Sequence, residues 1–175
     1  DGITATKDVT YDSTYGELPT PTRTGYTFAG WYTAASDGTK ITSSTKVSIT
    51  AAQTLYAHWT ANTYTVTLDA NGGTTSTTTL TVTYASTYGE LPEPTRTGYT
   101  FNGWYPAKSG GTQVTSSTKV SITSAQTLYA QWTVNTYKVT ISATNATTSA
   151  TSVNVTYGST NTLTITPDDG YYISN

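Results

Sequence analysis

At 175 residues the chain is long enough for one large domain or two small ones. Charged residues make up only 10% and the net charge is −2, so there is no basic stripe for nucleic acid and no polyelectrolyte character typical of disorder. Cysteine is absent, which removes disulfides, zinc–thiolate sites and thiol chemistry, and no apolar run is long enough for helical membrane insertion.

The place of charge is taken largely by threonine, roughly a quarter of all residues against ordinary usage. Threonine and the 15 tyrosines are good strand residues, so the bias predicts sheets with hydroxyl-rich outer faces. The sequence opens at Asp1 rather than methionine, consistent with a removed targeting segment or with an excerpt of a longer protein. An exported chain that folds without oxidation is the expectation.

In chain order, the first strong motif is Tyr15-Gly-Glu-Leu-Pro-Thr-Pro-Thr-Arg-Thr-Gly-Tyr-Thr-Phe-Ala-Gly-Trp-Tyr32, followed by the turn pair Asp37-Gly38 and by Leu55-Tyr-Ala-His-Trp59. Tyr64, Val66 and Leu68 then alternate with Thr65 and Thr67, the pattern of a strand with one buried face. Asn71-Gly72-Gly73 is a turn signal, and Leu80, Val82 and Tyr84 repeat the alternation. Leu91-Pro92-Glu93-Pro94 reads as an extended connector, because proline cannot serve a central strand. In the next strand Tyr99, Phe101 and Tyr105 share one face and Thr100, Asn102 and Trp104 the other, so both faces are expected to be covered. Leu128, Ala130 and Trp132 face inward, opposite Tyr129 and Gln131. No segment has sustained helical periodicity.

A repeat organises these elements. Tyr15–Tyr32 returns as Tyr88–Tyr105, and Leu55–Trp59 returns as Leu128–Trp132, each displaced by about 73 residues. Between Tyr11 and Thr60 about 40 of 50 positions are identical to their partners. A third, divergent copy opens at Asn135-Thr-Tyr-Lys-Val-Thr-Ile141, matching Asn62-Thr-Tyr-Thr-Val-Thr-Leu68, and continues through Val153-Asn-Val-Thr-Tyr157. The expected modules are residues 1–61, lacking an opening strand, 62–134, complete, and 135–175, partial.

Gly-Tyr-Thr-Phe-x-Gly-Trp-Tyr, preceded by Leu-Pro-x-Pro and followed by Leu-Tyr-Ala-x-Trp, resembles the Listeria–Bacteroides repeat, also called the internalin-type B-repeat. The similarity covers about residues 9–133, and residues 134–175 resemble a divergent relative of the same repeat. It implies an all-β, β-grasp-like module in surface proteins, arranged in tandem like beads on a string or in a filament, with no enzymatic activity. Periodicity alone does not separate a β-grasp from a small sandwich.

The tryptophans Trp31, Trp59, Trp104 and Trp132, with Phe28 and Phe101, fit a structural core, since small modules poor in leucine bury large aromatics instead. A sugar-stacking platform is the competing reading, and the outward Tyr56 and Tyr129 are separate candidates for contact with a partner. His58 is replaced by Gln131 in the second copy and reads as a solvent-facing strand residue without catalytic partners. Glu17 and Glu90 recur within Tyr-Gly-Glu-Leu-Pro and are expected to serve a structural task such as receiving backbone hydrogen bonds; Arg23 and Arg96 recur too, so an ion pair within each module is a further expectation. Asp37-Gly38 and Asp168-Asp169-Gly170 offer too few oxygens for calcium and read as turns. Asn145-Ala-Thr147 and Asn154-Val-Thr156 match the glycosylation acceptor pattern, and Lys46 or Lys119 could supply an isopeptide bond. No catalytic set, metal site or cofactor emerges.

The opening strand of the first copy, by the 73-residue spacing, falls before Asp1, while Tyr137, Val139 and Ile141 supply an opening strand to a third copy that is left unfinished. Either the boundaries cut through a longer array, or the carboxy-terminal part of one subunit completes the amino-terminal module of the next by head-to-tail strand donation, with Val153 and Val155 beside the donated residues. The functional expectation is an extracellular or cell-surface stalk, fibre subunit or adhesin segment whose partners are copies of itself or neighbouring repeats. A receptor- or glycan-binding module, or a non-catalytic appendage of a secreted enzyme, is the alternative.

Overall fold

The computed structural model describes residues 5–173, and among these described residues the chain forms eleven short strands and no helix. In the first copy of the repeat, β1 (Tyr26–Tyr32) is flanked by β2 (Lys40–Ile41) and β3 (Tyr56–Ala61), both antiparallel, in the order β2-β1-β3. β4 (Thr63–Asp69) follows after a single residue and pairs antiparallel with β5 (Thr79–Thr83). β6 (Tyr99–Tyr105) pairs antiparallel with β7 (Gln126–Val134), and these four strands share one sheet in the order β5-β4-β7-β6. β8 (Thr136–Thr140) pairs with β10 (Ser152–Thr156), and β9 (Ala146–Thr148) with β11 (Ile165–Pro167), each as a two-stranded antiparallel sheet. The fold is thus all-β and built from tandem small modules, as the alternation of apolar and hydroxyl residues requires.

The chain condenses into two compact units made of interleaved segments. One takes the chain up to Thr67 with Thr79–Glu90 and Ser116–Gln126, the other Leu68–Thr78, Leu91–Thr115 and the chain from Thr127 onward. In the first unit Tyr15, Ile41 and Val47 form a buried cluster that Val9, Leu18, Ile49 and Leu55 partly cover. Val66, at 0% exposure, lies opposite Leu80 across the β4–β5 pair, beside buried Val82. Tyr15 and Tyr88 are buried at the ring, and each hydroxyl donates to a glutamine carbonyl oxygen at 2.6 Å, Gln53 and Gln126 respectively. In the second unit Trp104, Leu128 and Ala130 are the most buried residues.

The structure corrects the alternation expected along β6. A bulge at Asn102 lets Phe101 pair with Trp132 while Gly103 pairs with Gln131, so one residue of β6 has no opposite number. Phe101 and Trp104 are thereby brought into edge contact, ring centroids 5.7 Å apart, instead of lying on opposite faces. β1 has the same bulge between Phe28 and Gly30, with Phe28 and Trp31 at 5.6 Å. Both bulges need glycine: Gly30 and Gly103 have φ of 137° and 131°, where side chains are strained.

Trp104 is 2% exposed and donates its indole N–H to the Pro92 carbonyl at 2.7 Å. Trp31 makes the equivalent bond to Pro19 at 2.8 Å but is only half-buried. Trp104→Ala is therefore expected to cost about 3–5 kcal/mol by urea denaturation, and Trp31→Ala clearly less, because cavity cost scales with the burial lost. Equal costs for the two would refute that assignment of the core.

Burial raises the Tyr88 phenol above its ordinary value. The native state thus favours the neutral hydroxyl, and the stabilisation present below about pH 10 is lost as pH climbs through the folded value. Tyr88→Phe is expected to cost about 1 kcal/mol at neutral pH through the lost bond to Gln126. It should also flatten the fall in stability above about pH 10, read from urea midpoints.

Candidate functional site

The arrangement that recurs with the least change is the join between one copy of the repeat and the next. A single residue, Asn62, separates β3 from β4, and Asn135 separates β7 from β8. The Asn62 N–H donates to the Gly25 carbonyl at 2.9 Å, and its own carbonyl accepts from the Tyr84 N–H at 2.9 Å. Its side-chain oxygen accepts from the Thr27 hydroxyl at 2.6 Å, and its amide nitrogen approaches the Tyr64 hydroxyl at 3.4 Å. At the second join, Asn135 repeats every contact: to Gly98 at 2.9 Å, Tyr157 at 2.8 Å, Thr100 at 2.6 Å and Tyr137 at 3.3 Å.

The tyrosine at each join lies against a glycine. Tyr84 meets Tyr26 edge-on with centroids 5.4 Å apart, and Tyr157 meets Tyr99 at 6.0 Å. A Cβ at Gly25 or Gly98 would overlap the Tyr84 or Tyr157 ring, and both glycines have positive φ (76° and 78°). Glycine is needed here twice over, for backbone and for ring. Asn-Thr-Tyr at 73-residue spacing marked the start of each repeat in the sequence, but nothing local showed that this asparagine locks a preceding glycine to a following tyrosine.

A second recurring feature is an open groove walled by aromatics. In the first copy it is lined by Arg23, Tyr26, Phe28, Trp59 and the Thr20–Thr24 segment. In the second copy Arg96, Tyr99, Phe101 and Trp132 take those places, and the Gly72–Thr74 turn adds a wall. Arg23 and Arg96 stack on Tyr26 and Tyr99, at 4.0 and 3.7 Å from the ring centroids. Among the described residues the ion pair is instead the exposed Lys46–Asp12 contact at 2.6 Å. Among the described residues neither Arg23 nor Arg96 pairs with a glutamate; each guanidinium lies over a tyrosine ring instead.

Trp59, Trp132, Phe28 and Phe101 are half-buried, with Phe28 and Phe101 in contact with Trp59 and Trp132 at 5.5 and 5.4 Å. His58 is not solvent-facing: its ring stacks on Tyr32 at 3.9 Å and Nε2 donates to the Ala34 carbonyl at 2.9 Å. Gln131 does the same task in the second copy, donating to Ala107 and Gly110. Both side chains hold the loop after their neighbouring strand, a role set by long-range contact. Tyr137 and Val139 are 52% and 46% exposed, while Ile141, Val153 and Val155 are half-buried. Asn145 and Asn154 are exposed, Asn145 at a turn with φ of 58°. Among the described residues no three of His, Asp and Glu converge to hold a metal ion.

One turn in the third copy closes with a bond of the same kind. The Tyr171 N–H donates to the Asp168 carbonyl, as Tyr26 does to Arg23 and Tyr99 to Arg96.

Tandem small β modules joined by one repeated asparagine lock define a repeat protein. The family model for the Listeria–Bacteroides repeat matches residues 1–58 and 64–131, and the chain belongs to that family. It is 46% identical over 119 residues to internalin H of Listeria monocytogenes, covering 68% of this chain and 21% of that protein. It is 34% identical over 131 residues to a putative membrane protein of Evansella cellulosilytica, covering 74% of this chain and 19% of the relative. The chain thus spans about a fifth of the curated relatives it matches. No solved structure matches it significantly.

The lock is testable. Gly98→Ala should cost about 1 kcal/mol more than Gly110→Ala, because both strain a positive φ but only the first displaces a tyrosine ring. Urea midpoints measure the difference, and equal costs would show that the Tyr157 contact contributes nothing.

Proposed function

We propose that the chain is a non-catalytic structural segment of an extracellular bacterial surface protein, a stalk whose repeats are fixed in sequence by asparagine locks. The observation that carries this is the identity of the two joins, contact for contact, around Asn62 and Asn135. In a tandem array each repeat meets only its neighbours, so a join of fixed geometry turns added copies into added reach. The hydroxyl-rich faces keep such an array hydrated with few charges, and the exposed Asn145 and Asn154 suit glycan attachment wherever the host cell performs it. The family membership and the relationship to internalin H support a surface location. The modules at 1–61, 62–134 and 135–175 are the natural boundaries of this reading.

The groove favours a second reading, a module that binds a host receptor or glycan. The same arginine, tyrosine, phenylalanine and tryptophan line it in both copies, and aromatic faces beside a guanidinium suit a sugar ring and its hydroxyls. Shifts of the Trp59 and Trp132 indole signals on titration with oligosaccharides would favour binding; silence across a broad panel would remove it.

For the stalk, small-angle scattering of the 175-residue chain should fit one rigid arrangement, and the double variant Asn62→Ala, Asn135→Ala should broaden the distance distribution. A wild-type profile already typical of freely jointed beads would overturn the stalk reading.

A further inference from the structure

The loop after β1 and the loop after β6 occupy the same place in the repeat but are held differently. In the first copy the Thr33 N–H donates to the Thr39 carbonyl at 3.1 Å, and the Thr33 hydroxyl accepts from the Thr39 N–H at 3.0 Å. Those two bonds close the loop across its base. In the second copy Pro106 stands where Thr33 does, while Thr39 is kept as Thr112. Proline has no N–H and no hydroxyl, so neither bond can form. Every residue at 106–113 is exposed, and among the described residues none of them makes a main-chain to main-chain hydrogen bond. A Cβ at Gly110 would meet nothing within 4 Å. The tip is held instead by Gln131, whose Nε2 donates to the Ala107 carbonyl at 3.0 Å and to the Gly110 carbonyl at 2.7 Å.

Lys108 lies between those two carbonyls, where the first copy has Ala35. Its ammonium stands 5.6 Å from the Tyr129 ring centroid, a loose contact at an exposed site. The chain's other basic residues are placed less accessibly. Lys40 and Lys138 are within β2 and β8, and Lys46 and Lys119 are bridged to Thr14 and Thr87. Arg23 and Arg96 lie on tyrosine rings, and their carbonyls accept from Tyr26 and Tyr99. Lys7 gives its ammonium to the Glu17 carbonyl at 2.6 Å.

We propose that the peptide bond between Lys108 and Ser109 is a processing site for a trypsin-like serine protease, and that the module stays folded after the cut. Such a protease takes exposed, unpaired backbone whose basic side chain enters a pocket holding a carboxylate. Water's hydroxyl goes to the Lys108 carbonyl carbon and its proton to the Ser109 nitrogen, leaving a new carboxylate and a new amine. The cut falls between the two carbonyls bonded to Gln131, so each new end keeps one bond. β6 stays paired with β7 from Tyr99 to Tyr105, and the Val114 N–H still donates to the Trp104 carbonyl at 2.9 Å. A stalk cut here is joined at that point by strand pairing alone. The first copy, with its closed loop and no basic residue between Thr33 and Thr39, is spared.

Limited digestion of the 175-residue chain with trypsin, followed by intact mass, tests the site. The first products expected are residues 1–108 and 109–175, eluting together from a native sizing column and apart in guanidinium. Lys108→Gln should remove that cut. Pro106→Thr, which restores the donor and the hydroxyl used in the first copy, should slow it. Gln131→Ala should quicken it by about fivefold, as the loss of one ordinary hydrogen bond does to a local opening. A first cut after any other basic residue, a rate indifferent to both loop variants, or fragments that part on the native column would overturn the proposal.

Discussion

One residue between two strands carries most of the organisation of this protein. Asn62 and Asn135 each give their N–H to a glycine carbonyl behind and their carbonyl to a tyrosine N–H ahead. With no residue to spare on either side, the strand that ends one repeat and the strand that opens the next are set by the same peptide unit. The glycine leaves room for the tyrosine ring, and the asparagine side chain ties the threonine of one repeat to the tyrosine hydroxyl of the next. Small modules without disulfides or metals need some such device, because their cores alone are marginal.

The rest of the structure follows from meeting polar demands with few charges. Indole N–H groups are given to proline carbonyls, tyrosine hydroxyls to glutamine side chains, and arginines to tyrosine faces. Among the described residues no buried side-chain nitrogen or oxygen is left without a partner. A chain with so little leucine thus uses aromatic rings both as apolar volume and as hydrogen-bonding anchors, which explains why tryptophan and tyrosine recur in phase while ion pairs do not. Belonging to the Listeria–Bacteroides repeat family fits this economy, since each repeat has the same needs and meets them with the same residues.

The two closely matching copies are not equivalent in space. Thr79–Thr83 is strand β5, but the corresponding segment from Thr6 to Thr10 is not a strand. Its Val9 still packs on the Tyr15, Ile41 and Val47 cluster. What differs is the neighbour: β5 pairs with β4, and the described residues offer Thr6–Thr10 no such strand. Trp31 and Trp104 differ in burial although the motif around them is nearly identical, so near-identical local chemistry gives different exposure when the surrounding sheet differs.

The sequence by itself determined the all-β class, the 73-residue repeat, the alternation of Tyr64, Val66 and Leu68, and the family. All of these are encoded in residues close together or in plain self-similarity, and a period of two survives translation into a sheet. Only the tertiary structure decided that Phe101 and Trp104 share a side, because a one-residue bulge reverses the alternation without changing composition. It alone placed His58 on Tyr32, turned Arg23 and Arg96 from glutamates to tyrosines, and joined Gly25 to Asn62 and Tyr84. These contacts depend on which strands lie side by side, and strand neighbours are chosen by the whole sheet rather than by any window of sequence.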